Sequence, residues 1–190
     1  MGQTTSMDNK TSELYLQQFQ LLAKYNQALN QSFYQAASQL DEAALNLDRQ
    51  AFFPSILATL NHLIVGDILW LKRFATHPSQ LSALNALADY PAATSLEQIM
   101  YADLATLQQA RFALDETIIE FCQQLTPEIL VSPFEFKNMK GQQFSKAYGL
   151  VIHHLLNHQT HHRGQVSTLL FQAGVDVGVT DLLYQIPELT

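Results

Sequence analysis

Five of the chain's seven histidines fall between His153 and His162, in the run His153-His154-Leu-Leu-Asn-His158-Gln-Thr-His161-His162-Arg163-Gly164-Gln165. His158 and His162 are four residues apart, so a helix sets both imidazoles on one face, one turn from each other. Two neutral ring nitrogens so placed can grip one divalent ion. A third ligand from elsewhere would leave coordination positions open to water or substrate.

The remaining histidines divide. His62 lies inside the apolar stripe of a second helical segment, and an apolar bundle has little other reason to bury three imidazoles. His77 stands before Pro78 in a loop and reads as a surface residue. At about 100° per residue, His158 sits at the centre of a stripe made by Ala147, Val151, Leu155, Val166 and Leu169. His154 and His162 flank it by about 40° on either side, so all three point broadly inward. His161 is at the stripe edge and His153 points away. Three turns span about 12 Å between Cα atoms, so one ion cannot easily take His154, His158 and His162 together. The spacing is not that of the zinc peptidases, which need a Glu after the first His as general base; Gln159 stands there and cannot take up a proton.

Cys122 is alone, beside Ile118, Ile119 and Phe121, and reads as a small buried apolar residue. A chain with one cysteine has no internal disulfide, which suits a reducing cytoplasm.

Four long helical patterns must position these groups. The first runs from about 12 to 38, with Leu14, Phe19, Leu22, Tyr25, Leu29 and Phe33 at helical spacing. A short turn covers 41–48. The second pattern begins near Pro54 and ends before Pro78, with Ala58, Leu69 and Trp70 in its stripe. A loop follows over 77–94. The capping-box signal Ser95-Leu-Glu-Gln98 predicts a third helix from 95 to about 125. Between Leu130 and Lys146 the apolar period shortens, which predicts a small β-hairpin with Gly141 in its turn, or an irregular loop. The fourth helix runs from about Ser145 to Gly174, a C-terminal stop. Residues 1–11 read as a frayed start and 175–190 as an irregular tail with one short turn. The expectation is one all-α domain over 1–190, a four-helix bundle.

The chain has 190 residues, 47% of them hydrophobic and 14% charged, with a net charge of −7. That balance argues against a duplex nucleic-acid binder and against an anionic membrane surface as partner. No stretch approaches the roughly 20 apolar residues of a membrane span, and no secretory signal precedes the first helix. The expected location is the cytoplasm.

Two longer segments carry a resemblance. Asp48-Arg-Gln-Ala-Phe52-Phe53-Pro54-Ser55-Ile56-Leu-Ala-Thr59-Leu60-Asn61-His62-Leu63 with Asp67-Ile-Leu-Trp70-Leu-Lys-Arg73-Phe74 resembles the second-helix signature of the DinB family. Asn157-His158-Gln-Thr160-His161-His162-Arg163-Gly164-Gln165 resembles its fourth-helix signature, and Thr180-Asp181-Leu182-Leu183 its tail. This family is distinct from the translesion DNA polymerase that shares its name.

The resemblance implies a DinB/YfiT-like bundle with a three-histidine metal site made here by His62, His158 and His162. It also implies a homodimer, and relatives that include transferases and isomerases using low-molecular-weight thiols. Zinc, nickel and iron all accept imidazole, so the ion is a divalent metal of open identity. Asn61, Gln165 and Asp67 are candidates to orient the ligand rings. Asp67 lies about 140° from His62 on the wheel, which favours a helix–helix or loop contact for it. The expected function is a metal-dependent hydrolase or thiol-dependent transferase acting on a small molecule. The alternative is a non-catalytic metal-binding or stress-related helical module.

Overall fold

The computed structural model describes the backbone of residues 2–188 and the side chains of residues 10–188. Four long helices build the bundle: α1 (Gly2–Ala37), α3 (Ile56–Phe74), α4 (Leu104–Gln123) and α6 (Tyr148–Gln172). Two short ones, α2 (Glu42–Asn46) and α5 (Pro127–Val131), sit in connections. The helix α1 packs on α4 and α6, and α3 packs on α6. None of the described helices is long and apolar enough to cross a membrane.

Side-chain caps set the helix starts. Ser55 accepts from the Ala58 N–H at the head of α3, Asp103 from Thr106 at α4, and Asp41 from Ala44 at α2. The start of α4 corrects the expectation for the third helix. Ser95 and Gln98 form no capping box: the Gln98 side chain accepts from the Thr94 N–H and hydroxyl, and 95–102 stays a loop. The stronger cap is the later one, because Asp103 holds both the Thr106 N–H and the Thr106 hydroxyl.

The first helix begins at Gly2, not near 12, so its backbone is helical through the stretch expected to fray. The side chains of 2–9, together with Met1, Leu189 and Thr190, lie outside the described residues. Leu14, expected in the buried stripe of this helix, is 66% exposed, whereas Phe19, Tyr25, Leu29 and Phe33 are buried.

The hairpin is present. Strands β1 (Pro133–Lys137) and β2 (Gln143–Ala147) pair antiparallel, Phe134 opposite Lys146 and Phe136 opposite Phe144. Its turn holds Gly141 at φ +80°, a left-handed conformation that glycine adopts without a Cβ clash. Because β2 runs to Ala147, α6 starts at Tyr148 rather than at the expected Ser145. At the far end Gly174 (φ +81°) closes α6: its N–H bonds the Phe171 carbonyl and the Val175 N–H bonds that of Leu170. These two bonds form a Schellman motif, sealed by buried Val175 against buried Leu170. The tail then crosses to α1, where the Tyr25 hydroxyl donates to the Thr180 carbonyl at 2.6 Å, before one short 3-10 turn at Leu182–Gln185.

His77 is not on the surface. It is 7% exposed, stacked on Tyr148 at 4.4 Å, and bonded to the Ser79 and Ser132 hydroxyls. With Phe74, Phe121 and Phe134 around Tyr148, it fastens the base of the hairpin to the bundle. Cys122 is fully buried, and burial pushes its thiol up to about 12, so it is no nucleophile.

One layer of the core is polar. Buried Arg111 of α4 donates to Asp67 of α3 at 2.5 Å and pairs with Asp115 at 2.8 Å. Asn26 and Asn30 of α1 donate to Asp115. Arg163 of α6 donates to Asn26 and to Gln159, and Gln159 donates to the Leu63 carbonyl of α3. All four long helices thus meet in one hydrogen-bonded layer with two Arg and two Asp, so its formal charge cancels.

Candidate metal centre

The helices α3 and α6 bring His62, His158 and His162 together. Nε2 of His62 lies 3.1 Å from Nε2 of His158 and 3.1 Å from Nε2 of His162. One ligand atom from each ring falls within 4.8 Å of the others. Among the described residues, this is a group of histidines able to hold an ion, with no carboxylate or thiol in it.

Partners on the far side of two rings fix their orientation. His62 Nδ1 is 2.9 Å from the Leu96 carbonyl, and His162 Nδ1 is 2.7 Å from Gln165 Oε1. Each partner atom is an acceptor, so each Nδ1 carries the proton and each Nε2 presents a lone pair to the shared point. Two such lone pairs 3.1 Å apart repel one another unless a proton or a cation lies between them. A tetrahedral ion at about 2.0–2.1 Å from each nitrogen would hold the nitrogens about 3.3 Å apart, close to the 3.1 Å that separates His62 Nε2 from each of the other two. The donor set therefore fits a divalent ion that accepts imidazole.

Electrostatics agree with a neutral, metal-ready site. Burial lowers the pKa of all three rings below the ordinary 6.5. His158 goes furthest, to about 3, through burial first and then the neighbouring imidazoles. The rings are thus unprotonated at neutral pH, the form in which they can ligate.

The residues expected to orient the ligand rings separate in the structure. Gln165 holds His162 directly. Asn61 acts one step away: it donates to the Tyr101 carbonyl and accepts from the Tyr101 N–H at 3.0 Å each, pinning the loop whose Leu96 carbonyl meets His62. Asp67 touches no ligand ring and belongs to the polar layer, the helix–helix contact that its place on the wheel favours.

On α6 the buried face is displaced from the expected one. His158 is half-buried and His154 exposed, while Gln159 and Arg163 are buried. Hydropathy counts those two as outside, yet the polar layer satisfies them and draws them in. His158 consequently sits beside the core stripe rather than at its centre. His154 lines a groove, 6.1 Å from the His158 ring, and His153 and His161 are exposed.

Three contributors were not singled out from sequence. Phe53 stacks on His62 at 3.9 Å and closes one side of the site. The Leu96 carbonyl comes from a loop with no sequence signal for it. Gly66 had a signal, a glycine inside a helix, which costs about 1 kcal/mol against Ala and so points to a packing reason. A Cβ at Gly66 would lie 2.8 Å from His158 Cε1, so the missing side chain is where the His158 ring fits.

A groove of about 490 Å³ opens on His62 and His158. Its walls are α3, through Trp70 and Arg73, and the hairpin turn, through Met139 and Lys140.

Comparison with known proteins agrees with this architecture. The chain is 29% identical over 160 residues to Protein DinB of Bacillus subtilis (strain 168), covering 84% of this chain and 88% of that protein. A crystal structure of a DinB-like protein from Bacillus cereus ATCC 10987 superposes with a TM-score of 0.55 at 20% identity, covering 88% of this chain and 95% of that one, a likeness of fold. The DinB family profile matches residues 7–188, and with nearly its whole length so matched, the chain belongs to the DinB family.

Proposed function

We propose that this protein is a metal-dependent enzyme that binds one divalent ion through Nε2 of His62, His158 and His162, and acts as a hydrolase or a thiol-dependent transferase on a small molecule. The observation that carries this reading is the three-nitrogen donor set beside an open groove, with no fourth protein ligand grouped with it among the described residues. Structural zinc sites are usually closed by four protein ligands, whereas catalytic sites keep a position open.

A bound ion would supply Lewis acidity at the inner end of the groove. The chain's own groups do the rest. Leu96 and Gln165 hold the Nδ1 protons of His62 and His162, so both Nε2 atoms face the site in one tautomer. Phe53 covers His62 and excludes water from that side. The groove admits a substrate from the other. Neither Cys122, which is buried, nor Gln159, which is bonded in the core, is placed to act as nucleophile or base.

Elemental analysis of the purified protein, paired with a screen of ester, amide and thiol-conjugation substrates, tests the proposal. One equivalent of a divalent metal, and a turnover that disappears on chelation and in His158→Ala, is the expected result. Metal-loaded protein inert across the screen would instead favour a non-catalytic metal-binding module.

A further inference from the structure

The groove is electrostatically one-sided. Arg73 and Lys140 line it and no carboxylate does, in a chain whose net charge is −7. The Arg73 guanidinium is half-buried and lies over the Trp70 ring at 4.7 Å. No acidic side chain pairs with it, and its N–H groups meet no acceptor among the described residues. This contrasts with Arg111 and Arg163, both held in the polar layer. A planar guanidinium fixed by stacking, with its donor fork unpaired in a groove, is built to receive a carboxylate or phosphate.

Its position sets a length. Arg73 follows His62 by three turns on α3, roughly 16 Å along the axis at 1.5 Å per residue. All side chains of α3 lean toward its N-terminus, His62 included, but the Arg73 guanidinium lies over Trp70, only eight residues past His62. The remaining span is on the order of 10 Å. Trp70 and His154 pave it: their rings lie 5.2 Å apart, and His154 is next to His158.

We propose that Arg73, with Lys140 on the opposite wall, anchors the anionic end of an elongated substrate whose reacting end lies at the three histidines. The substrate class is a small acid, carboxylate or phosphate, with an apolar stretch of about 10 Å that lies on Trp70. This rests on the metal-centre reading for the reacting end but not for the anion end.

The chain's single tryptophan is Trp70, so its emission reports occupancy of the groove. In the metal-free protein, hexanoate and hexyl phosphate are titrated against 1-hexanol. The expected result is at least tenfold tighter binding of one anion than of hexanol, lost in Arg73→Gln and only partly restored in Arg73→Lys, which keeps the charge but not the stacked fork. The tighter of the two identifies the acid group. In zinc-loaded protein, suberic monohydroxamate is titrated against its methyl ester. The acid is expected to bind at least tenfold tighter than the ester, again only with Arg73 present, while the ester's affinity is the same in Arg73→Gln. Equal binding of anions and hexanol by the wild-type protein, or a preference that survives Arg73→Gln, overturns the anchor. An anion preference in the metal-free protein without any hydroxamate gain from zinc leaves the anchor standing and overturns the metal-centre reading instead.

Discussion

At the scale of single residues, the three clustered histidines are not interchangeable with their neighbours. His158→Ala removes one of three nitrogens that meet at 3.1 Å from His62 or share its point, and tight metal uptake should be lost. His154→Ala should leave metal affinity within a few-fold, because its ring is 6.1 Å from that of His158 and outside the cluster. Metal titration of the two variants decides it; equal loss would mean that the ligand pair on α6 is misassigned. Gly66→Ala is a finer probe. Its methyl would press on His158 Cε1 from 2.8 Å, so it should weaken metal binding while circular dichroism stays unchanged.

The same rings make the metal-free protein sensitive to acid. Unfolded, each titrates near 6.5, whereas folding pushes His158 to about 3 and lowers the other two. Between those values the unfolded chain binds more protons, so stability is lost as pH falls below 6.5 toward 3. His158→Ala removes the largest of these contributions. The melting temperature of the metal-free variant should therefore fall less between about pH 7 and pH 5 than that of the wild type, as followed by ellipticity. Equal falls would show that burial does not depress the His158 pKa.

At the scale of elements, the polar layer is what fixes how α3 and α6 face each other. Asp67 follows Gly66, and Gln159 and Arg163 follow His158 and His162, so the layer anchors the backbone next to each clustered ring. Arg111→Leu would strand Asp67 and Asp115 in the core. Breaking one side of such a buried ionic group costs about 3–5 kcal/mol, which chemical denaturation would register directly. Combining Arg111→Leu with Asp67→Leu, which keeps Asp115 for the Asn26 and Asn30 amides and balances it against Arg163, should recover part of that loss; no recovery would mean that the layer supports the fold in some way other than charge pairing. This layer was also the part of the structure least legible in the sequence. Apolar spacing located the four long helices and left the segment before the last one open between a hairpin and a loop, and histidine spacing with the family signatures named the three rings that the structure brings together. Spacing could not show that Gln159 and Arg163 are buried, because their burial depends on Leu63 and Asn26, far away in the chain on α3 and α1. It likewise placed the start of α4 at Ser95 instead of Leu104, since Ser95 and Asp103 both carry capping chemistry and only tertiary context selects between them. His77 was misread for the same reason: its stacking partner, Tyr148, belongs to a distant helix.

At the scale of the whole molecule, the core is large enough to stand without an ion. Phe33, Phe74, Phe121, Leu60, Ile64 and Ile68 are all essentially fully buried away from the site, unlike a small metal-dependent domain whose folding free energy is its binding free energy. Removing metal with a chelator should thus leave the helical ellipticity in place, on the order of the native value, by the same size argument. Among the described residues, an apolar patch lies apart from the site. Tyr15 of α1, Val131 of α5 and Leu150 of α6 are each more than half exposed and rim a cavity of about 460 Å³ that none of the three clustered histidines lines. We propose this face as the homodimer contact implied by the family resemblance, since isolated apolar side chains are ordinary but a contiguous set around a cavity marks an interaction surface. A stable contact would have to bury about 1,200 Å² or more in total, which draws in the neighbouring Leu14 as well. Light scattering at micromolar concentration should give twice the chain mass, and Leu150→Glu should give the monomer. The variant should take up metal as the wild type does, because the substitution lies outside the histidine cluster. A wild-type monomer, or a dimer indifferent to Leu150→Glu, would place the contact elsewhere or remove it.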